Sequence, residues 1–251
     1  MRLFIWSSLV VFSACNREPT PEMEEGLTAV NDAIGASLVT AEAARYVTSA
    51  RRDGTCPTVT QTGDITALTV AVDYGVEGCV PVDGLVPYAM AGGVALTLAT
   101  NELSVGFNQL TCDGNAVDGA ITGGVSGLSI ADGVEISLVS DLDIDWVDWP
   151  VALEEDFTAS INFGAATLDG EGEVINPDGT FGLDVNEVKF KYEDILAACP
   201  LPSSGDIVVT VNGEEITIKF DNKSPNSGEV NVQQGKKKAK NVPLCDYLEY
   251  L

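Results

Sequence analysis

The stretch IVVTVNGEEITI, residues 207–218, decides the fold. Asn212-Gly213 is the strongest two-residue signal for a tight hairpin, because both residues accept the positive φ that such a turn demands. With these two at the tip, Val211 faces Glu214, Val209 faces Ile216 and Ile207 faces Ile218. The apolar side chains then share one face without any shift of register. An antiparallel hairpin with one dry and one wet face is therefore the unit from which the rest is read.

Working back toward the N-terminus, the same alternation recurs. Leu68, Val70, Val72 and Tyr74 alternate with polar or small residues, and Val94, Leu96 and Leu98 lead through the turn 99–102 to Leu103, Val105 and Phe107. The apolar parity then moves to Leu110 and Cys112, which predicts a β-bulge near Asn108-Gln109. Val134, Ile136, Leu138, Leu142, Ile144 and Trp146 share one face, interrupted only by Ser140. Phe157, Ala159 and Ile161 alternate again, as do Phe181, Leu183 and Val185, and the parity slips once more before Val188 and Phe190. Seven Asp-Gly pairs, at Asp53, Asp83, Asp113, Asp118, Asp132, Asp169 and Asp178, read as hairpin turns.

One segment breaks the period of two. From Gly26 to Ala50, Leu27, Val30, Ile34, Leu38 and Ala41 recur at helical spacing. This predicts a helix lying on a sheet, with Asn31, Asp32, Glu42 and Arg45 away from the contact or at its border. The expected fold is all-β: an antiparallel meander, as a curved sheet, half-barrel or sandwich, with one N-terminal helix over residues 26–50.

The composition excludes several kinds of function. The formal net charge is −25, with 38 acidic against 13 basic residues. Such a surface repels nucleic acid and anionic lipid, so neither is expected as a partner of the main body. The chain has no histidine. Ser-His-Asp and Cys-His catalysis are thereby excluded, and the usual catalytic zinc sites lose their commonest ligand. Asp and Glu abound, but nothing singles out a pair placed for glycoside hydrolysis. No catalytic residue and no cofactor is expected.

The first residues, MRLFIWSSLVVFSAC, have the anatomy of an export signal. A short basic start, Met1-Arg2, precedes the apolar run Leu3 to Val11, and small residues lead to Cys15. The apolar run is shorter than the roughly 20 residues of a spanning helix. Its end resembles the lipobox of bacterial lipoproteins, although Phe12 stands where that family usually has Leu. The resemblance implies that residues 1–14 are a signal peptide, that Cys15 is lipidated, and that residues 15–25 are a tether on a membrane. Asn16 rather than Asp after the cysteine implies, by the same analogy, an exported protein at the outer membrane. The alternative is ordinary secretion with cleavage near Ala14.

Cysteines agree with an oxidising compartment. With Cys15 on lipid, Cys56 and Cys79 flank one strand unit and Cys199 and Cys245 flank the last. These two bridges are the expected pairs among several arrangements open to the sequence, with Cys112 left free on a buried strand face. The segments CPTVT (56–60), LTVAVDYGVEGC (68–79) and FNQLTCDGNAVDG (107–119) resemble uncharacterised β-rich bacterial lipoproteins, a family with no activity to carry over.

Three surface features are candidate sites. Asp141, Asp143 and Asp145, with nearby Asp148, are a calcium candidate. A straight strand spaces such side chains about 6–7 Å apart, which fits a solvated face better. Trp146 and Trp149 fit either a sugar or lipid contact or the closing of a sheet end. Lys236, Lys237, Lys238 and Lys240 fit either a lipid headgroup contact or a charged edge that blocks strand pairing. The expected role is a membrane-anchored structural or binding module of the cell envelope that meets a protein partner. The alternative is a carrier holding an apolar ligand between sheet and helix. An apolar cavity larger than one side chain at that place separates the two.

Overall fold

The computed structural model describes residues 18–48, 56–64, 67–81, 88–129, 133–146, 149–162, 164–191 and 201–244. Helix α1 (Pro21–Thr48) precedes β1 (Thr58–Asp64), β2 (Ala67–Cys79), β3 (Met90–Ala99), β4 (Glu102–Cys112), β5 (Asn115–Ser129) and β6 (Gly133–Ile144). Next come β7 (Val151–Ile161), β8 (Ala165–Asn176), β9 (Gly179–Lys191), β10 (Ser204–Val211) and β11 (Glu214–Phe220). A single helical turn, α2 (Ser224–Ser227), leads into β12 (Glu229–Gln234) and β13 (Lys237–Pro243). All thirteen strands form one antiparallel sheet in strict chain order, with β1 and β13 at its edges. It is an open meander, not a sandwich.

The β10–β11 hairpin has the expected register, pairing Val211 with Glu214, Val209 with Ile216 and Ile207 with Ile218. All five of these Val and Ile residues are buried. Both parity slips are bulges. Gln109 takes φ 50° where the β4–β5 register shifts, and Glu187 takes φ 46° opposite the shift in β8. A bulge inserts one residue and turns the next side chain to the other face.

The Asp-Gly reading needs correction. Asp113-Gly114 and Asp178-Gly179 do sit at hairpin turns, but Gly119 and Gly170 lie inside β5 and β8 beside those bulges. A Cβ on Gly119 would come within 2.0 Å of the Asp141 carbonyl oxygen, so glycine is needed there for close approach of two backbones. The pairs at Asp53 and Asp83, and Asp132 of the pair before β6, fall outside the described residues.

The helix differs more. It begins at Pro21, so five residues read as tether are helical. Thr20 accepts the Met23 N–H on its hydroxyl, Pro21 occupies the first helical position, and Glu22 and Glu24 lie in the first turn. Those are the features of a helix start. As expected of a curved sheet, α1 meets strands that lie far apart in the strand order. It contacts β2 and β3 as well as β7, β8 and β10–β12, so the curved sheet wraps it from both sides. Met23, Leu27, Val30, Ile34 and Val39 are buried, and so are Asn31, Asp32 and Glu42, which the helical spacing placed outside. Small residues permit the close wrap: Ala29 and Ala36 are fully buried.

Cys56 and Cys79 are bonded, with Cα atoms 6.0 Å apart, and Cys112 is free and buried on β4. The expected Cys199–Cys245 pair falls outside the described residues. The observed bond ties the start of the edge strand β1 to the end of β2. Replacing both cysteines by serine is expected to speed amide exchange across β1 and to lower global stability by about 2 kcal/mol, the low end for such a loop. Unchanged exchange across residues 58–64 would show that strand pairing alone holds β1.

Candidate functional site

The curl of the sheet leaves a cavity of about 240 Å³ between α1 and β7–β10. Ala33, Ile34, Ser37 and Leu38 form its helical wall. Phe157, Leu168, Val185, Val188, Phe190 and Ile207 form most of the sheet wall. Small residues make the space: Ala33 on the helix and Ala166 on β8 fill little of it. An apolar cavity of about 150 Å³ suffices to hold a benzene ring. This one is larger than a single side chain.

Glu155 is the one charged residue lining the cavity among those described. It occupies an inward position of β7 directly opposite Ser140 of β6. The Ser140 hydroxyl donates to Glu155 Oε2 at 2.8 Å. On the other side Glu155 pairs with Gly172 of β8, and Gly172 pairs with Leu183 of β9. Gly172 contributes no side chain, so nothing covers the carboxylate from that strand. Burial pushes the Glu155 carboxyl up to about 7, and the Ser140 hydrogen bond pulls it back only in part.

This shift makes stability depend on pH with a definite sign. Below pH 4.5 the group is protonated folded or unfolded, and above about 7 the fold must carry a buried charge. Stability linked to Glu155 is thus present at low pH and lost as pH rises from 4.5 to about 7. At about 1.4 kcal/mol per pH unit, and discounted for partial exposure, the loss is about 2 kcal/mol. Urea unfolding of wild type and Glu155→Gln is expected to show their stability difference changing by that amount over this window. A constant difference would mean that the carboxylate is well solvated.

The buried carboxylate of Asp32 is structural. Asp32 Oδ2 accepts hydrogen bonds from Asn176 Nδ2 at 2.7 Å and from Trp149 Nε1 at 3.1 Å. Burial raises its pKa, and these two donors oppose the rise. Asn176 also accepts from the Asp178 and Gly179 backbone N–H groups, which shapes the β8–β9 turn. Asp32 thereby locks α1 to the turn and to the chain after β6. The tryptophan pair closes the sheet end: Trp146 and Trp149 are half-buried against the core.

The other candidates fall on the outer surface. Asp141, Asp143 and Asp145 are exposed, and among the described residues no three such side chains come together to hold a metal ion. Asp148 falls outside the described residues. Asp141, Glu154, Asp156, Glu171, Glu173, Asp184 and Glu215 line an open trough of about 630 Å³, which Ser140 and Glu155 also border. The lysine run begins in the turn before β13, and Lys237, Lys238 and Lys240 are exposed on that edge strand. Cys15 falls outside the described residues.

Compared with known proteins, the chain matches no family model, no curated protein and no solved structure. Ser140 was visible in the sequence as the single break in an apolar face. Glu155 breaks the same phase between Leu153 and Phe157, and two polar breaks on adjacent strands are the signal that marks this site.

Proposed function

We propose that the protein is a non-enzymatic carrier of a small apolar ligand, exported and held at a membrane by a lipid on Cys15. The cavity between α1 and β7–β10 carries this reading, because its walls are almost wholly apolar and its volume exceeds any one lining side chain. Apolar enclosure with one convergent polar group is the usual form of a small-molecule site. A structural module has no use for such a space, since an unfilled cavity weakens a fold.

Calorimetric titration with octan-1-ol tests the carrier role. One molecule per chain is expected to bind, with a rise in melting temperature that grows with ligand concentration. Absence of both heat and thermal shift would remove the carrier role and favour a structural or protein-binding module.

The anchor has its own test. Thr20 and Glu22, where α1 begins, lie beside the lysine-bearing β12–β13 hairpin: the Thr20 hydroxyl donates to Gln234 Oε1 at 2.8 Å, and the Glu22 pKa is lowered by hydrogen bonds from its own backbone and Thr20, with a smaller contribution from Lys237. The first described residues, 18–20, join α1 beside these cations, which suits apposition of that end of the fold to anionic headgroups. Cys15→Ala is expected to move the protein from the membrane fraction to the soluble fraction. Unchanged partition would rule out the lipid as anchor.

A further inference from the structure

We infer that the ligand is a small aliphatic amine, with its cationic head on Glu155 and its apolar tail along α1. The assignment rests on the carrier reading and narrows it to a chemical class.

The polar groups of the cavity define what the head must be. Ser37 already donates its hydroxyl to the Ala33 carbonyl at 2.7 Å, so it asks for no acceptor on a ligand. Glu155 receives one hydrogen bond, from Ser140, on Oε2. No lysine or arginine lines the cavity among the described residues. A carboxylate in an apolar wall without a cation is costly, and a ligand that brings the cation offsets that cost.

The surroundings select against the other heads. Seven further acidic side chains line the open trough that Glu155 also borders and add a negative potential, and that lining lacks lysine and arginine. A fatty acid would place a second carboxylate against this field. An alcohol meets no such penalty and can donate to the carboxylate, but it brings no positive charge to offset the one buried there. An alkylamine, with an ammonium pKa near 10 like that of lysine, is cationic at neutral pH.

The tail has a path. From Gly172, the ladder partner of Glu155, to Leu168 on the cavity wall is four positions of β8, or about 13 Å at 3.3 Å per residue. Val185, Val188 and Phe190 continue the apolar wall on β9.

Titrations with octylamine, octan-1-ol and octanoate at about pH 8 separate the possibilities, since the three share one tail length. Octylamine is expected to bind tenfold or more tighter than octan-1-ol, and octanoate more weakly than either. Glu155→Gln is expected to weaken octylamine about tenfold and octan-1-ol by much less, since the Gln side chain can still hydrogen-bond a hydroxyl; retained alcohol binding also shows that the variant is folded. Equal binding of amine and alcohol, or an octylamine affinity unmoved by Glu155→Gln, would overturn the amine assignment and leave the carrier intact. Loss of both ligands in a folded Glu155→Gln variant overturns it too, because the carboxylate would then not act on the head group. Failure of all three ligands with wild type overturns the carrier reading itself.

Discussion

Ala33→Phe is expected to close the cavity without unfolding the protein. Ala33 is buried, and its methyl group faces the space. A phenyl ring needs about 150 Å³, so the remainder of the 240 Å³ is too small for an octyl tail. Excluding even three methylenes, at about 0.8 kcal/mol each, weakens octan-1-ol binding roughly fiftyfold. Stability should stay within about 1 kcal/mol of wild type, because the ring enters space rather than neighbours. In a solid core the same insertion forces side chains off their rotamers and costs about 1–3 kcal/mol or more. Urea unfolding and calorimetry on one preparation read both effects. A stability loss above about 3 kcal/mol would mean that the region is already filled.

Asp32→Leu is expected to be the most destabilising single change, at about 3–4 kcal/mol. It removes the acceptor shared by Asn176 and Trp149, and each orphaned donor costs about 1–3 kcal/mol. For a chain of this size that corresponds to a fall in melting temperature of roughly 6–16 °C. Asp32→Asn should cost under about 1 kcal/mol, since its amide oxygen keeps an acceptor and no charge need be buried. Comparable losses in both variants would mean that the charge, rather than the acceptor, holds the helix. Asp32 also precedes Ala33 and Ile34 in the chain, so the clamp fixes the rotation at which the helix presents its wall to the cavity.

The sheet was legible in the sequence where one face is dry. Asn212-Gly213 set the register of β10–β11, and the slips of parity before Leu110 and Val188 located two bulges, because a period of two records every inserted residue. Asp-Gly was less specific: positive φ serves a turn tip and a bulge equally, and Gly119 and Gly170 belong to bulges. The helix start at Thr20-Pro21 was obscured because proline suits both a tether and a first helical turn. Burial of Asp32 and Glu42 was not legible, because helical spacing reports one apolar face and cannot report a sheet that wraps around behind it. The site was half legible: Ser140 stood out, but its partnership with Glu155 required the register of β6 with β7.

The wrapping of α1 also sets an order of events in folding. Each strand pairs with its immediate neighbour in the chain, so the ladder extends hairpin by hairpin through short loop closures. The helix has no such neighbour. Its hydrogen bond to Asn176 spans 144 residues, and that from Thr20 to Gln234 spans 214. Closures of that length carry more entropy and come late. The segment synthesised first is therefore completed last, when β10–β12 arrive to enclose it. Until then the acids and apolar side chains that it finally buries stay in water.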